Sequence, residues 1–180
     1  GGGSRRHERG DTAIAGTYDK DERILQLKGF KVRLESQISA DDSLLISIGN
    51  NKIRKNLSEK FSPNSFFSLQ HPSTIVDDTV EIGEGSVIMA GVVINSDTKI
   101  GKHCIINTSA SIDHDCDIGD FVHVAPNSTL CGGISIGEGT LVGAGAVILP
   151  NIRIGGGAVV TRDVADGHTV VGNPARVIKS

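Results

Sequence analysis

The sequence is poor in aromatic residues, which make up 3% of 180 residues and include no Trp. Large rings therefore do not supply an ordinary globular core, and the length suits one or two small domains. No apolar run approaches the roughly 20 residues that span a bilayer, and no signal peptide opens the chain. The net charge of −3 gives no electrostatic basis for nucleic-acid binding. We therefore predict neither a membrane span nor a nucleic-acid partner.

Cysteine is also scarce, with three residues and no CxxC spacing. The sequence therefore predicts no disulfide framework, and a reducing cytoplasm is the expected compartment. Cys104 and Cys116 fall on inward positions of the repeat described next, which predicts core packing. Cys131 is expected to be more exposed.

An aliphatic residue recurs at every sixth position from Val76 to Val160, fifteen times in succession. A second, mostly smaller set follows each of them by four residues. Neither the helical period of 3.6 nor the strand period of 2 produces this spacing. It is typical of a parallel β-helix of hexapeptide repeats, whose bore is filled by stacked aliphatic side chains.

A longer period of eighteen residues is carried by five Ile-Gly pairs. Three hexads therefore form one triangular coil, and we expect the glycine of each pair to serve a tight turn at one corner. The six-residue phase has no interruption, so no loop protrudes between its ends. Any active site must then lie on the coil surface or between chains. The pairs are Ile82-Gly83, Ile100-Gly101, Ile118-Gly119, Ile136-Gly137 and Ile154-Gly155.

The chain divides into three parts. Residues 1–10 are Gly-rich and basic and are interpreted as a flexible leader or the remnant of a longer segment. Residues 11–70 are predicted to form a small, truncated, Rossmann-like α/β domain. Residues 71–180 are predicted to form the β-helix with a C-terminal tail. The α/β domain is expected to cover one end of the β-helix and the Gly-Asn-Pro-Ala-Arg tail the other, because an unprotected end would be an aggregating edge.

Within the α/β domain, alternating apolar runs predict strands over residues 12–18, 30–34 and 44–48. A glycine turn follows at Gly49-Asn50-Asn51, and a helix is predicted from about Lys52 to Phe61.

Two of the six histidines, His114 and His123, point outward and lie nine residues apart, which is half a coil. On one chain they fall on opposite sides of the prism. Threefold packing, a natural closed assembly for flat-faced prisms, would bring His114 of one subunit near His123 of the next. Asp115 follows His114 directly and is placed to orient the imidazole and raise its basicity for general-base catalysis. His103 is expected to be a solvated turn residue, and the inward register of Cys116 disfavours it as a nucleophile.

Glycine-rich turns occur at residues 132–133, 143–145 and 155–157. Their main role is turn geometry, but small residues also let a ligand lie against the backbone, with N–H groups available to a thioester carbonyl. Basic side chains near the C-terminus are candidates for the phosphates of a nucleotide cofactor, with ordinary solvated charges as the alternative: Arg153, Arg162, Arg176 and Lys179.

Several segments together resemble the hexapeptide-repeat acyltransferases, and within them the sialic-acid and bacillosamine O/N-acetyltransferase group with its PglD-type nucleotide-sugar acetyltransferases. The resemblance extends over residues 12–178. The matching segments are Ile48-Gly49-Asn50-Asn51 with Ile53-Arg54-Lys55, His71-Pro72, Val92-Val93-Ile94-Asn95, Ile106-Asn107-Thr108, His114-Asp115-Cys116, Gly119-Asp120-Phe121-Val122-His123 and Gly172-Asn173-Pro174-Ala175.

The resemblance implies a left-handed β-helix and acetyl-CoA as co-substrate, with no metal. It implies that His114 is the general base, that Asp115 raises its basicity, and that Asn107 lies beside it as a supporting residue. The acetyl-CoA site would comprise His123, Gly143, Ala144 and Gly156. The nucleotide-sugar site would comprise Asp19, Gly49 and Asn50.

The implied reaction is acetyl transfer to an amino group, expected to be the 4-amino group of a UDP-linked deoxy-amino sugar in bacterial glycan biosynthesis. The expected assembly is a homotrimer with active sites between subunits. The family begins with a strand and a G-x-G-G-H turn that grips the nucleotide. Residues 1–10 do not match this feature, so the expectation is either that the α/β domain is truncated or that the protein binds its sugar differently.

Three alternatives remain. Acetylation of a sugar hydroxyl could use the same base. A metalloenzyme like γ-carbonic anhydrase would need histidines five residues after His114 and two coils before it, where the sequence has Gly119 and Asp78. A β-helix without catalytic activity would act as an assembly scaffold.

Overall fold

The computed structural model describes residues 16–19, 21, 23, 26, 27, 30–160, 169–172 and 174–179. Most of this part of the chain is a triangular parallel β-helix, preceded by a smaller α/β segment. The predicted leader at residues 1–10 and most of the strand predicted over residues 12–18 lie outside the described residues.

Three parallel sheets form the sides of the β-helix, and we name them the first, second and third faces in the order in which each coil meets them. The first face contains Leu69–Gln70, Val87–Ile88, Ile105–Ile106, His123–Val124, Leu141–Val142 and Val159–Val160. The second contains Ile75–Val76, Val93–Ile94, Ser111–Ile112, Thr129–Leu130 and Val147–Ile148. The third contains Glu81–Ile82, Lys99–Ile100, Asp117–Ile118, Ser135–Ile136, Arg153–Ile154 and Thr169–Val171, with Arg176–Lys179 at its edge.

From residue 69 to residue 160, coils stack so that residue i pairs with residue i+18, as in Ile94 with Ile112 and Ile106 with Val124. We call the turn from the first to the second face the first corner, the next turn the second corner, and the turn back to the first face the third corner. The uninterrupted eighteen-residue register confirms the predicted parallel β-helix and its lack of protruding loops.

The core is the stack of aliphatic side chains that the six-residue period predicts. Ile112, Leu130 and Ile148 are all fully buried, and the smaller set between them is buried as well. Cys104 and Cys116 belong to this core, whereas Cys131 is partly exposed, as expected. Four buried hydroxyls of this set, those of Ser86, Thr98, Ser128 and Thr140, donate to backbone carbonyls and so satisfy their own hydrogen-bonding capacity.

Each corner is made by one residue in the left-handed conformation, which recurs at every sixth position from Gly85 to Gly157. The glycines of the Ile-Gly pairs lie two residues before these positions at one of the three corners and serve another purpose. A Cβ on Gly101 would lie 2.7 Å from the Asp120 backbone N. These glycines therefore allow close approach of adjacent coils, and the prediction that they make the turn is wrong. Seven left-handed positions are not glycine: Asp97, His103, Ser109, Asp115, Phe121, Asn127 and Asn151.

The α/β segment contains a three-stranded sheet of Thr17–Asp19, Phe30–Leu34 and Gln26–Leu27, followed by a 3-10 turn at Glu35–Gln37. The strand predicted over residues 30–34 is confirmed. Of the strand predicted over residues 44–48, only Ser43–Leu44 forms, paired with Ser65–Phe66. Residues 45–48 are not in a strand, and the Ile48 carbonyl accepts a hydrogen bond from Arg54.

The predicted helix spans Asn51–Lys60. It begins at Asn50, whose side-chain oxygen accepts from the Ile53 N–H at 3.0 Å and so caps the first turn. Lys60 lies in the last turn, where a cation is favourable beside the free carbonyls.

This helix packs along the side of the β-helix, at the third corner. Asn51 Nδ2 donates to Gly139 O at 2.9 Å, and Arg54 donates to His103 O and Phe121 O at 2.7 and 2.9 Å. Lys55 pairs with Glu138. The expectation that the α/β domain covers an end of the β-helix is therefore wrong for this helix. At this corner the hydrogen bond between adjacent coils runs from Phe121 N to Lys102 O. The His103 carbonyl is not used in that bond, so it can accept from Arg54.

The C-terminal segment closes the far end of the β-helix. Thr169–Val171 extends the third face in parallel, and Arg176–Lys179 pairs with it in the antiparallel sense. Ala175 packs against the core and donates its N–H to Val159 O at 2.8 Å. Ala175 thus covers the core at the end where the tail was expected to lie. None of the helices in the described part of the chain is long and apolar enough to cross a bilayer.

We expect Ile118→Ala to lower the free energy of unfolding by about 2–5 kcal/mol, because it removes a side chain that is 1% exposed and leaves a cavity in the bore. Asp117→Ala, on the outward position of the same strand, is the matched control and should change it by no more than about 0.5 kcal/mol. Urea unfolding followed by circular dichroism measures both. Equal effects of the two substitutions would contradict the inward register.

Candidate active site

His114 and Asp115 lie together at the second corner. His114 Nδ1 is 2.8 Å from Asp115 Oδ2, and both side chains are exposed. The left-handed backbone of Asp115 belongs to the corner turn, so the fold itself sets this pair in place. Asp115 raises the pKa of His114 by its hydrogen bond, and Asp113 adds to the effect by its charge.

Asp113 forms a second support beneath His114. Its Oδ1 accepts from the His114 N–H and from Asn95 Nδ2, both at 2.9 Å. Asn95 is the equivalent residue one coil earlier, so two coils fix the carboxylate that flanks the histidine. These contacts lower the pKa of Asp113, which keeps it ionised. Asn95 ends one of the matching segments, but neither residue was predicted to belong to the site, although the eighteen-residue register places them in contact.

Gly132 provides the surface on which the His114 ring lies. A Cβ there would lie 2.7 and 2.8 Å from Cε1 and Nε2 of the imidazole, so the ring fills the space of a side chain one coil later. The Gly132 N–H donates to no backbone acceptor among the described residues, in contrast to Gly133 N, which donates to His114 O. The second corner therefore combines an imidazole, a carboxylate and a backbone donor.

His123 lies on the first face, beside the third corner, and is partly buried. Its Nδ1 is 3.3 Å from Gly49 O, and its Nε2 is 3.1 Å from Asn107 Nδ2. Because a carbonyl only accepts, Nδ1 carries the proton and Nε2 accepts from the Asn107 amide. Burial lowers the pKa of His123, and the nearby Arg54 charge acts in the same direction, so the ring is neutral at pH 7.

Of the residues expected to hold the nucleotide sugar, Gly49 contacts His123, and Asn50 caps the helix. Asp19 ends the strand Thr17–Asp19, and its Oδ1 accepts from the Asp21 N–H at 2.9 Å. No hydrogen bond among the described residues joins Asp19 to the Gly49 turn. Gly49 therefore contacts His123, whereas the side chain of Asn50 caps the helix and that of Asp19 binds the Asp21 N–H.

The residues expected to bind acetyl-CoA lie along the first face. Gly143 and Ala144 are at its first corner, and Gly156 is at its third corner, where Glu138 O of the preceding coil would be 3.1 Å from an added Cβ. Between these edges run the outward residues Leu141 and Val159, one and two coils after His123.

His103 is 5% exposed, so the expectation of a solvated turn residue is wrong. Phe66 meets its ring edge-on at a centroid distance of 4.7 Å, and Phe121 stacks on it at 5.2 Å. Burial lowers the pKa of His103, and the ring is a packing group beneath the docked α/β segment.

The two core cysteines are unsuited to nucleophilic catalysis. Burial raises the pKa of Cys104 to about 12 and raises that of Cys116. Cys116 Sγ also lies 3.2 Å from Cys131 O, inside the bore. This agrees with the inward register expected for Cys116. Among the described residues, no three histidine, cysteine or acidic side chains converge as metal ligands would.

Comparisons with known proteins agree with this architecture. The family model described as bacterial transferase hexapeptide (six repeats) matches residues 79–114 and 97–132. A structure of a single-residue variant of perosamine N-acetyltransferase from Caulobacter crescentus, with CoA and GDP-perosamine, is 36% identical. That match covers 84% of this chain and 79% of the other, with a TM-score of 0.66. The chain belongs to the hexapeptide-repeat nucleotide-sugar acetyltransferase family.

Two further relatives of this family match. The acetyltransferase domain of PglB from Neisseria gonorrhoeae, in complex with acetyl coenzyme A, is 32% identical; the match covers 85% of this chain and 81% of that domain, with a TM-score of 0.68. UDP-N-acetylbacillosamine N-acetyltransferase of Bacillus subtilis is 48% identical over 52 residues. That match covers 28% of this chain and spans only 24% of the relative's length.

Asp115→Asn should lower the pKa of His114 toward that of an isolated histidine, because it removes the largest cause of the raised value while leaving Asp113 in place. Asp117→Asn, an exposed acid two residues further along, is the control. Titration of the His114 ring by NMR measures the shift. An unchanged His114 pKa in Asp115→Asn would show that the pair does not form in solution.

Proposed function

We propose that this protein transfers an acetyl group from acetyl-CoA to the amino group of a nucleotide-linked amino sugar, with His114 as general base. The observation that carries the proposal is the His114–Asp115 pair lying on Gly132 at an exposed corner of the β-helix. Membership of the family supports the same reaction class. Its relatives with bound CoA and GDP-perosamine show what such proteins accommodate.

In the proposed reaction the sugar nitrogen attacks the thioester carbonyl, a C–N bond forms and the C–S bond breaks. His114 takes the proton of the attacking nitrogen, and its raised pKa suits this transfer near neutral pH. The Gly132 N–H is placed to stabilise the developing oxyanion. The proton then passes from His114 to the leaving thiolate, so no covalent intermediate with the protein is needed.

A trimer would complete this site. The outward row of the third face is charged or polar, whereas apolar residues dominate that of the first face, with Val87, Ile105, Leu141 and Val159. The second face is mixed but includes Ile75, Val93 and Val147. Packing the first face of one subunit on the second face of the next would bury both rows and place the first corners at the symmetry axis.

The same packing would bring the two histidines together. His123 begins its strand at the outer edge of the first face, and His114 follows the strand that ends at the outer edge of the second face. They would meet at the mouth of the cleft between subunits. The pantetheine arm of acetyl-CoA would then lie in this cleft along the outer edge of the first face, beside Gly156, whereas Gly143 and Ala144 at the first corner would lie toward the symmetry axis. The nucleotide sugar would enter beside Gly49 and Asn50.

The finer substrate assignment is the 4-amino group of a UDP-linked deoxy-amino sugar. Acetylation of a hydroxyl is the competing reaction, since the same base could activate either nucleophile. The deciding experiment offers acetyl-CoA with UDP- and GDP-linked amino sugars and with matched sugars bearing a hydroxyl in place of the amine, and follows release of free thiol. If only the hydroxyl sugars were acetylated, the reaction would be O-acetylation rather than N-acetylation. If none of the sugars were acetylated, the proposal would be overturned.

We expect His114→Ala to lower kcat at least about a hundredfold, because the general base is lost, while acetyl-CoA binding measured by calorimetry stays largely unchanged. His71→Ala is the control, because this histidine is exposed and, among the described residues, its ring hydrogen-bonds to Ser73 alone. A fully active His114→Ala variant would remove the base assignment.

Mixing His114→Ala with His123→Ala subunits tests the shared site. In a threefold assembly each mixed trimer regains one intact pair, so random equal mixing should restore about a quarter of wild-type activity. Mixing is done by refolding together, with each variant refolded alone as control and trimer mass checked by ultracentrifugation. If the mixture were no more active than the variants refolded separately, the two histidines would not form a site shared between subunits.

A further inference from the structure

Arg54 is the largest fully buried side chain, at 1% exposure, and no carboxylate contacts it among the described residues. Its guanidinium instead donates to backbone carbonyls and one amide, which satisfies a buried charge without an acidic partner. Desolvation lowers its pKa, but an arginine remains charged at neutral pH. The acceptors are Ile48 O at 2.9 Å, Gly49 O at 3.3 Å, His103 O at 2.7 Å, Phe121 O at 2.9 Å and Asn51 Oδ1 at 2.8 Å.

These acceptors come from two parts of the protein. His103 and Phe121 belong to successive coils at the third corner, whereas Ile48 and Gly49 belong to the turn that precedes the helix. The Arg54 guanidinium therefore joins that turn to two particular coils of the β-helix. The helix has other anchors, Asn51 on Gly139 and Lys55 on Glu138, but neither of them touches Gly49.

The Gly49 carbonyl is shared between Arg54 and His123. It accepts from Arg54 Nη1 and from His123 Nδ1, each at 3.3 Å. Both contacts are long, so the position of this one carbonyl decides whether the His123 bond exists. If the turn moved away from the corner, Nδ1 would lose its acceptor, and the ring could take either neutral tautomer.

The tautomer of His123 also determines how its ring pairs with Asn107. With the proton on Nδ1, Nε2 accepts from Asn107 Nδ2. The Asn107 oxygen is committed to the Thr108 N–H at 2.8 Å, which fixes which end of the amide is the donor. Within the described part of the chain, no acceptor pairs with the other N–H of Asn107 Nδ2.

We propose that Arg54 is a positioning residue that holds the Gly49 carbonyl against His123, thereby fixes the Nδ1–H tautomer of His123, and through it orients the amide of Asn107. The consequence is a connection between the turn proposed to receive the nucleotide sugar and the face proposed to receive acetyl-CoA. Its catalytic effect rests on the proposed function, but the hydrogen-bond chain itself does not.

Arginine is required because the nitrogens of one planar guanidinium group donate to all these acceptors at the same time. A lysine at this position would keep the charge but would present its donors from one nitrogen and could not reach both the corner and the Gly49 turn. Arg54→Lys is therefore the informative variant. Lys55→Gln is the matched control, since it removes a neighbouring anchor of the same helix that contacts neither Gly49 nor His123.

The test uses the full chain labelled with ¹⁵N in its histidine rings. In the wild type we expect a neutral His123 with protonated Nδ1 and unprotonated Nε2, and in Arg54→Lys a mixture of the two tautomers. Kinetically, kcat/KM for acetyl-CoA should fall about tenfold to a hundredfold in Arg54→Lys. It should stay within about twofold of wild type in Lys55→Gln, whose His123 signals should match the wild type.

Two results would overturn the proposal. An Nε2–H tautomer of His123 in the wild-type protein would rule out the proposed series of hydrogen bonds. This measurement needs no variant, so it decides the question even if Arg54→Lys does not fold. A folded Arg54→Lys variant with the wild-type tautomer and unchanged kcat/KM would show that Arg54 only anchors the helix. If the tautomer changes as expected but the wild-type protein acetylates no sugar, the proposed function fails and the positioning role stands.

Discussion

The pairing of each residue with the one eighteen positions later is the constraint on which the rest of the structure depends. It aligns the aliphatic side chains in the bore and keeps every corner directly above the next. It also decides which side chains share space across coils, such as His114 with Gly132 and Asp113 with Asn95. Side chains that contact each other across neighbouring coils are therefore separated by a fixed number of residues.

Apart from His123, which lies on the first face, the candidate functional groups lie at corners, where coil stacking does not use every backbone N–H and carbonyl. At the second corner the Gly132 N–H, which has no backbone acceptor in the described part of the chain, lies beside the His114 imidazole. At the third corner the free carbonyls of His103 and Phe121 receive a guanidinium from another part of the chain. The flat faces satisfy their own hydrogen bonds by coil stacking, so they contribute shape and apolar surface.

The β-helix and much of the candidate site could be predicted from the sequence, because period and register fix which residues turn inward. Burial of Cys104 and Cys116 and outward placement of His114 and His123 follow from that register alone. The attachment of the α/β segment could not be predicted, since Arg54 sits in a polar helix and gives no apolar signal. His103 was misjudged for the same reason: its burial depends on Phe66 and the docked helix, which lie outside the repeat.

The unbroken register also limits how such a protein can change in length. A single inserted residue would move every following side chain out of its corner, whereas an insertion of one whole coil would restore the alignment. That insertion would displace the C-terminal part of the first face by about 4.8 Å, the spacing of neighbouring strands. The distance from His123 to the C-terminal end of that face therefore changes only in steps of one coil.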